Sequence, residues 1–288
     1  MFKKAVISDE ISQDLQVACD LAKKYGFDGL EIRSVWDKGP HKLSDEDIAK
    51  IREIMDANGL EVCGISAPFL KCDIMNEAEV AEQFDVVLAR CMVLAKGVGT
   101  SYIRGFTGWK KGELSDALPR ITELLRRASE ILAKENMTLL IEMDPSVYAY
   151  DAKSIAEVVK SVACDNICAL FDPGNLMWNQ NPEVPYPDAY ETLKPYIRHV
   201  HIKDAYQKED GEAVCVKVGT GSVDFPGLFA RLKADGYEGY VVLETHYRLK
   251  KEISEELLAL PGGAEFSDGA FEASDESMAA INEMLAKI

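Results

Sequence analysis

The chain has 288 residues, 47% of them apolar, which suffices for one substantial core of the barrel or two-domain kind. Its formal net charge is −17, from 49 acidic against 32 basic side chains, and that field repels polyanions, so no nucleic-acid partner is expected. Every uncharged apolar run falls short of the about 18 residues of a membrane span, so no membrane partner is expected either.

From the N-terminus, Met1-Phe2-Lys3-Lys4 runs directly into a strand pattern and lacks the apolar core and cleavage site of a signal peptide. Seven cysteines occur without CxxC pairs and fit a reducing, cytoplasmic location; Cys164 and Cys168 read as packing. Short branched and aromatic runs predict strands over 5–8, 29–33, 61–65, 102–105, 138–143, 167–171, 199–203 and 239–244. Between them lie helical periodicities. Leu15, Ala18, Leu21, Ala22 and Tyr25 form one apolar stripe, stopped by Gly26. Ser44 caps a second helix carrying Ile48, Ile51, Ile54 and Met55, closed by Gly59. Further helices are expected over 80–96, 117–134, 154–162, 225–234 and 274–285, with irregular loops over 173–187 and 261–269. Eight alternating strand–helix units in this length predict an α/β fold, a closed (β/α)8 TIM barrel, over an open doubly wound sheet. No linker divides the chain. A single domain over 1–288 is expected, with the loop and helix of 250–288 packing on the barrel.

Four consecutive strands end in metal-ligand residue types: Glu142, Asp172, His201 and Glu244. Each has an ordinary role open to it. Glu142 can pair with an arginine, Asp172 before Pro173-Gly174 can start a turn, and Glu244 can cap a helix. In His199-Val200-His201-Ile202-Lys203 the two-residue period puts both histidines and Lys203 on one face. A buried carboxylate is costly without a partner, and four strand ends in succession suggest a shared one. One divalent cation, Mn²⁺, Mg²⁺, Co²⁺ or Zn²⁺, held by Glu142, Asp172, His201 and Glu244 would supply it. Such a donor set contains no thiolate, unlike structural cysteine zinc sites. In a barrel the loops after the strands build the active site, so Lys203, Arg104, Trp178, Phe69 and His246 are candidates for substrate binding. Glu31, Arg33 and Arg104 equally suit a polar layer filling the barrel.

The segments Leu140-Ile141-Glu142-Met143, Phe171-Asp172-Pro173-Gly174-Asn175, His199-Val200-His201-Ile202-Lys203-Asp204 and Leu243-Glu244 resemble those of the xylose-isomerase-like TIM barrels. So does the glycine-containing Val218-Gly219-Thr220-Gly221-Ser222-Val223-Asp224-Phe225. That superfamily includes the sugar phosphate isomerase/epimerase family, inosose dehydratases and endonuclease IV. The resemblance implies metal ligands at Glu142, Asp172, His201 and Glu244, with Glu142 and Glu244 also as the catalytic proton-transfer pair. Asn175 stands where many members carry a substrate-binding histidine, and Gln207 stands near an arginine of some epimerases. The function expected is a divalent-metal-dependent sugar or sugar phosphate isomerase/epimerase, working through a metal-bound enediolate with two Glu acid/base residues. The alternatives are an inosose-type dehydratase on the same site, an endonuclease IV-like phosphodiesterase and a non-catalytic sugar-binding protein. Only four histidines and the −17 charge speak against the phosphodiesterase. The partner expected is a small-molecule sugar, and the assembly expected is a homodimer.

Overall fold

A computed structural model describes residues 2–250 and 253–288. Among the described residues ten strands form: β1 Lys3–Ile7, β2 Gly29–Ile32, β3 Glu61–Phe69, β4 Tyr102–Gly105, β5 Thr138–Glu142, β6 Ile167–Phe171, β7 Ile197–Ile202, β8 Asp204–Gln207, β9 Ala213–Val216 and β10 Tyr240–Leu243. Eight close into a barrel in the order β1-β10-β7-β6-β5-β4-β3-β2, and every pairing around it is parallel. This is the (β/α)8 barrel that the strand–helix alternation predicts.

Towards their C-terminal ends β5, β6 and β7 keep the two-residue period. Leu139 and Ile141 of β5, Ala169 and Phe171 of β6, and Val200 and Ile202 of β7 join the large core between the sheet and its helices. Their neighbours point into the barrel. There Ala5, Ile7, Cys63 and Val242 form one small apolar cluster, and Leu140, Cys168 and Leu170 form another. Because the period is fixed, the next inward residues are Glu142, Asp172, His201 and Glu244, one pleat or about 6.6 Å further along the barrel.

The structure departs from the sequence pattern in four places. The predicted 80–96 helix is two helices, Glu77–Glu82 and Ala89–Val98, joined by a π-helical turn at Gln83–Leu88, where Gln83 Oε1 accepts the Leu70 amide at 2.8 Å. The loop after β6 coils into a tight helical turn, Gly174–Trp178, whose first four residues are buried. An antiparallel hairpin, β8–β9, follows β7 directly. The irregular stretch near 261–269 contains a short helix, Gly263–Ser267, and the last helix starts early, at Ala270. That helix is tied to the turn after β1 and to the end of the first helix: Ser274 Oγ donates to the Glu10 carbonyl, and Asn282 Nδ2 donates to the Tyr25 carbonyl at 2.8 Å.

Candidate active site

Each cluster residue is aimed by its strand end. Asp172 does two jobs. Its Oδ1 accepts the amides of Gly174 (3.0 Å) and Asn175 (3.3 Å), forming the turn that Asp-Pro-Gly promises, and this leaves Oδ2 for the barrel axis. Gly174 is needed for a close approach: a Cβ there would lie 2.4 Å from the Lys203 carbonyl oxygen. Asn175 donates to the Met143 carbonyl at 2.9 Å and accepts from Lys203 Nζ at 3.0 Å, so β5, β6 and β7 are laced together at their ends. Asp204 anchors the glycine loop: its carboxylate accepts the amides of Gly219, Gly221 and Val223.

The four cluster residues converge, with one ligand atom from each within 4.8 Å of all the others. His201 Nδ1 lies 3.2 Å from Glu142 Oε1, 3.3 Å from Glu244 Oε2 and 3.9 Å from Asp172 Oδ2. The outer oxygens of the two glutamates are gripped by arginines: Arg104 Nη1 is 3.0 Å from Glu142 Oε2, and Arg33 Nη1 is 2.6 Å from Glu244 Oε1. Lys203 Nζ sits 2.9 Å from Asp172 Oδ2 and 2.7 Å from Glu244 Oε2. These two oxygens are close to the ammonium as charges yet have no partner in hydrogen-bonding geometry.

The electrostatics follow from burial. Burial pushes Asp172 up to about 7, against the opposing pull of Lys203. Glu244 is equally buried, but Lys203 foremost, together with His201, outweighs the loss of solvent and holds it well below the usual carboxylate range. Burial acts to lower His201, yet Glu31, Glu142 and Glu244 together raise it well above an ordinary imidazole. Six buried carboxylates, Asp9, Glu10, Glu31, Glu142, Asp172 and Glu244, are linked by contacts within 4 Å to only four permanent cations, Arg33, Arg104, Lys203 and Arg248. The network therefore lacks two positive charges unless histidines supply them. Oxygen-rich donors, two inner oxygens without hydrogen-bond partners and this charge deficit fit a hard or borderline divalent cation.

A cavity of about 350 Å³ opens above the cluster. Arg104, Glu142, Asn175, Trp178, Lys203, Glu244 and His246 line it, and Leu258, Ala259 and Pro261 cover it. Asp172 and His201 lie beneath. Phe69 does not reach the cavity. It is fully buried in the outer core, edge-on to Phe84 at 5.2 Å, because β3 extends to Phe69 and this residue follows Ile65 and Ala67 on the outward face. Gln207 is also turned away, donating to the carbonyls of Met177 and Asn179. The inward period carries on past the strand ends and brings in Asp144, two residues after Glu142. Lys71 joins it, with Nζ 2.8 Å from Asp144 Oδ2 and donating to the Ala259 carbonyl at 2.7 Å. That pair went unread; the continued parity past Glu142 was the available signal for Asp144, and nothing local marks Lys71. His246 adopts a left-handed backbone (φ 43°), and neither ring nitrogen has a hydrogen-bond partner. Burial, then Lys203, holds it well below the ordinary imidazole range, so it is neutral.

The fold and site define a parallel barrel with a buried carboxylate–imidazole cluster at its C-terminal mouth, the place where barrel enzymes keep their chemistry. The model of the xylose isomerase-like TIM barrel family matches residues 19–264, and the chain belongs to that family. Among curated proteins it is similar to the inosose dehydratase of Klebsiella pneumoniae subsp. pneumoniae, 25% identical over 76% of this chain and 78% of that one. Among solved structures it resembles the D-allulose 3-epimerase of Methylomonas sp., with a TM-score of 0.70 at 17% identity over 98% of each chain. It also resembles the 3-keto-D-glucoside 4-epimerase YcjR of E. coli, with a TM-score of 0.66 at 17% identity over 95% of this chain and 99% of that one. At those identities the structural likeness speaks for the fold. The relatives named are enzymes, epimerases and a dehydratase. Among the described residues no helix is long and apolar enough to cross a membrane.

Proposed function

We propose that the chain is a divalent-metal-dependent isomerase or epimerase of a sugar or sugar phosphate. The observation that carries this reading is the convergence of Glu142, Asp172, His201 and Glu244 beside the cavity, with two partnerless carboxylate oxygens in a network that holds more carboxylates than permanent cations. These four residues would hold the cation, which when bound supplies Lewis-acid polarisation of a substrate carbonyl. Everything else is work for the side chains. One of Glu142 and Glu244 removes the proton from the carbon next to the carbonyl, and the other returns a proton on the opposite face. Arg104 and Arg33 keep the two carboxylates oriented through their outer oxygens. Lys203, held by Asn175, faces the cavity and stabilises charge developing on the substrate oxygen. Neutral His246, with both ring nitrogens free, hydrogen-bonds a hydroxyl, and Trp178 walls the apolar face of the sugar. Leu258, Ala259 and Pro261 complete the wall of the cavity.

A dehydratase working from the same proton abstraction is the second reading. The inosose dehydratase relatives favour it, as does Asn175 at the position where many epimerases carry a substrate-binding histidine. One experiment tests both. A panel of ketoses, ketose phosphates and inososes is incubated in D₂O with manganese-loaded protein and followed by NMR. An inverted carbon bearing deuterium marks an epimerase, a moved carbonyl an isomerase, and a deoxy-dicarbonyl product a dehydratase. Turnover without solvent deuterium in the product removes the proton-transfer mechanism.

A further inference from the structure

One buried carboxylate in the barrel has no part in the chemistry above. Glu31, at the end of β2, is 1% exposed, and among the described residues no lysine or arginine pairs with it. Its Oε1 accepts from Ser66 Oγ. Its Oε2 lies 2.6 Å from His199 Nε2 and 3.4 Å from His201 Nε2. A buried carboxylate served only by two imidazoles and a hydroxyl is costly unless it is needed there. One oxygen facing two ring nitrogens while the other accepts from a hydroxyl is the arrangement of an ionised carboxylate. An ionised carboxylate only accepts, so both Nε2 atoms facing it carry hydrogen. The opposite nitrogen of His201, Nδ1, then faces the three carboxylates of the cluster. His199 Nδ1 has no partner, so hydrogen bonding anchors that ring through Glu31 alone.

We propose that Glu31 is a positioning residue for the cation site: it fixes the ring and tautomer of His201 so that Nδ1 is the ligating nitrogen, while Ser66 and His199 hold the carboxylate in place. The inference rests on the reading of the cluster as a cation site. Carboxylate–histidine–metal arrangements work in this way generally, and loss of the outer partner costs about 10- to 100-fold in metal affinity. Glu31, His199 and His201 also lie close enough to be a donor set of their own. Against that, Glu31 Oε2 already sits at hydrogen-bond distance from His199, and a cation there would compete for the imidazole that the main cluster uses.

The test is Mn²⁺ affinity, by chelator competition, for the wild type, Glu31→Gln, Glu31→Asp and Ser66→Ala, with ¹⁵N-histidine NMR of the zinc-loaded wild type. Expected are one ion per wild-type chain, a weakening of about 10- to 100-fold in Glu31→Gln, partial rescue in Glu31→Asp and a smaller loss in Ser66→Ala. The zinc-loaded wild type should carry the His201 proton on Nε2. Ser66→Ala keeps the test alive if Glu31→Gln does not fold. Wild-type affinity in a folded Glu31→Gln, a proton on His201 Nδ1, or two ions per chain overturns the inference and leaves the main cation site standing. A wild type that binds no Mn²⁺ removes the cation site itself, and this inference with it.

Discussion

Leu170 and Asp172 face the same barrel interior from the same strand, one pleat apart. So do Leu140 and Glu142, and Val242 and Glu244. The lower member of each pair packs in a small apolar cluster; the upper enters a network of buried charge. The backbone is alike in both layers, since the parallel ladder fixes each residue's height. What differs is what each layer does with burial. Below, removing side chains from water stabilises the fold. Above, the same burial penalises every carboxylate; ion pairs and turn amides offset it, and the proposed cation would offset it further. One layer packs the barrel interior, and the other gathers the buried charge at its mouth.

Five measurements break or sharpen that division. The largest effect belongs to the upper layer. Glu142→Gln and Glu244→Gln keep an oxygen donor but lose the base, so each should lower kcat on a turned-over sugar by about 10²–10⁴-fold. Full activity in either variant removes that residue from proton transfer. Next is the lower layer, where Leu170→Ala should cost about 2–5 kcal/mol of stability in denaturant titration while activity per folded molecule is retained. Loss of metal binding in the folded Leu170→Ala protein would mean that the layers are not separable. Third, Mn²⁺ at a hundred times its Kd should stabilise the wild type by about 2.7 kcal/mol. Thermal melts should show that gain persisting in Leu170→Ala and vanishing in Asp172→Asn; an equal gain in Asp172→Asn places the ion elsewhere. Within the upper layer, His201→Ala should lose more Mn²⁺ affinity than His199→Ala, and a reversed order would refute the assignment of His201 as ligand. The smallest effect is Ile7→Val, expected to cost about 0.5–1.5 kcal/mol with Mn²⁺ affinity unchanged.

The sequence alone carried the barrel, because eight strand–helix alternations leave few ways to bury so many apolar runs. It also carried the inward face of each strand, since the period of two is a property of the extended backbone and needs no tertiary information. That is why Glu142, Asp172, His201 and Glu244 were legible as a set, and why the Asp-Pro-Gly turn was legible beside it. Phe69 shows where this reading stops: β3 runs four residues past the predicted end, and Phe69 falls with Ile65 and Ala67 on its outward face, away from the mouth. The partners of the site residues were decided only by closure of the barrel. Arg33 lies 211 positions from Glu244, Lys71 sits 73 from Asp144, and Glu31 is 170 from His201. Their distances come from the stagger of eight strands around a closed ring, a global constraint that no window of sequence contains.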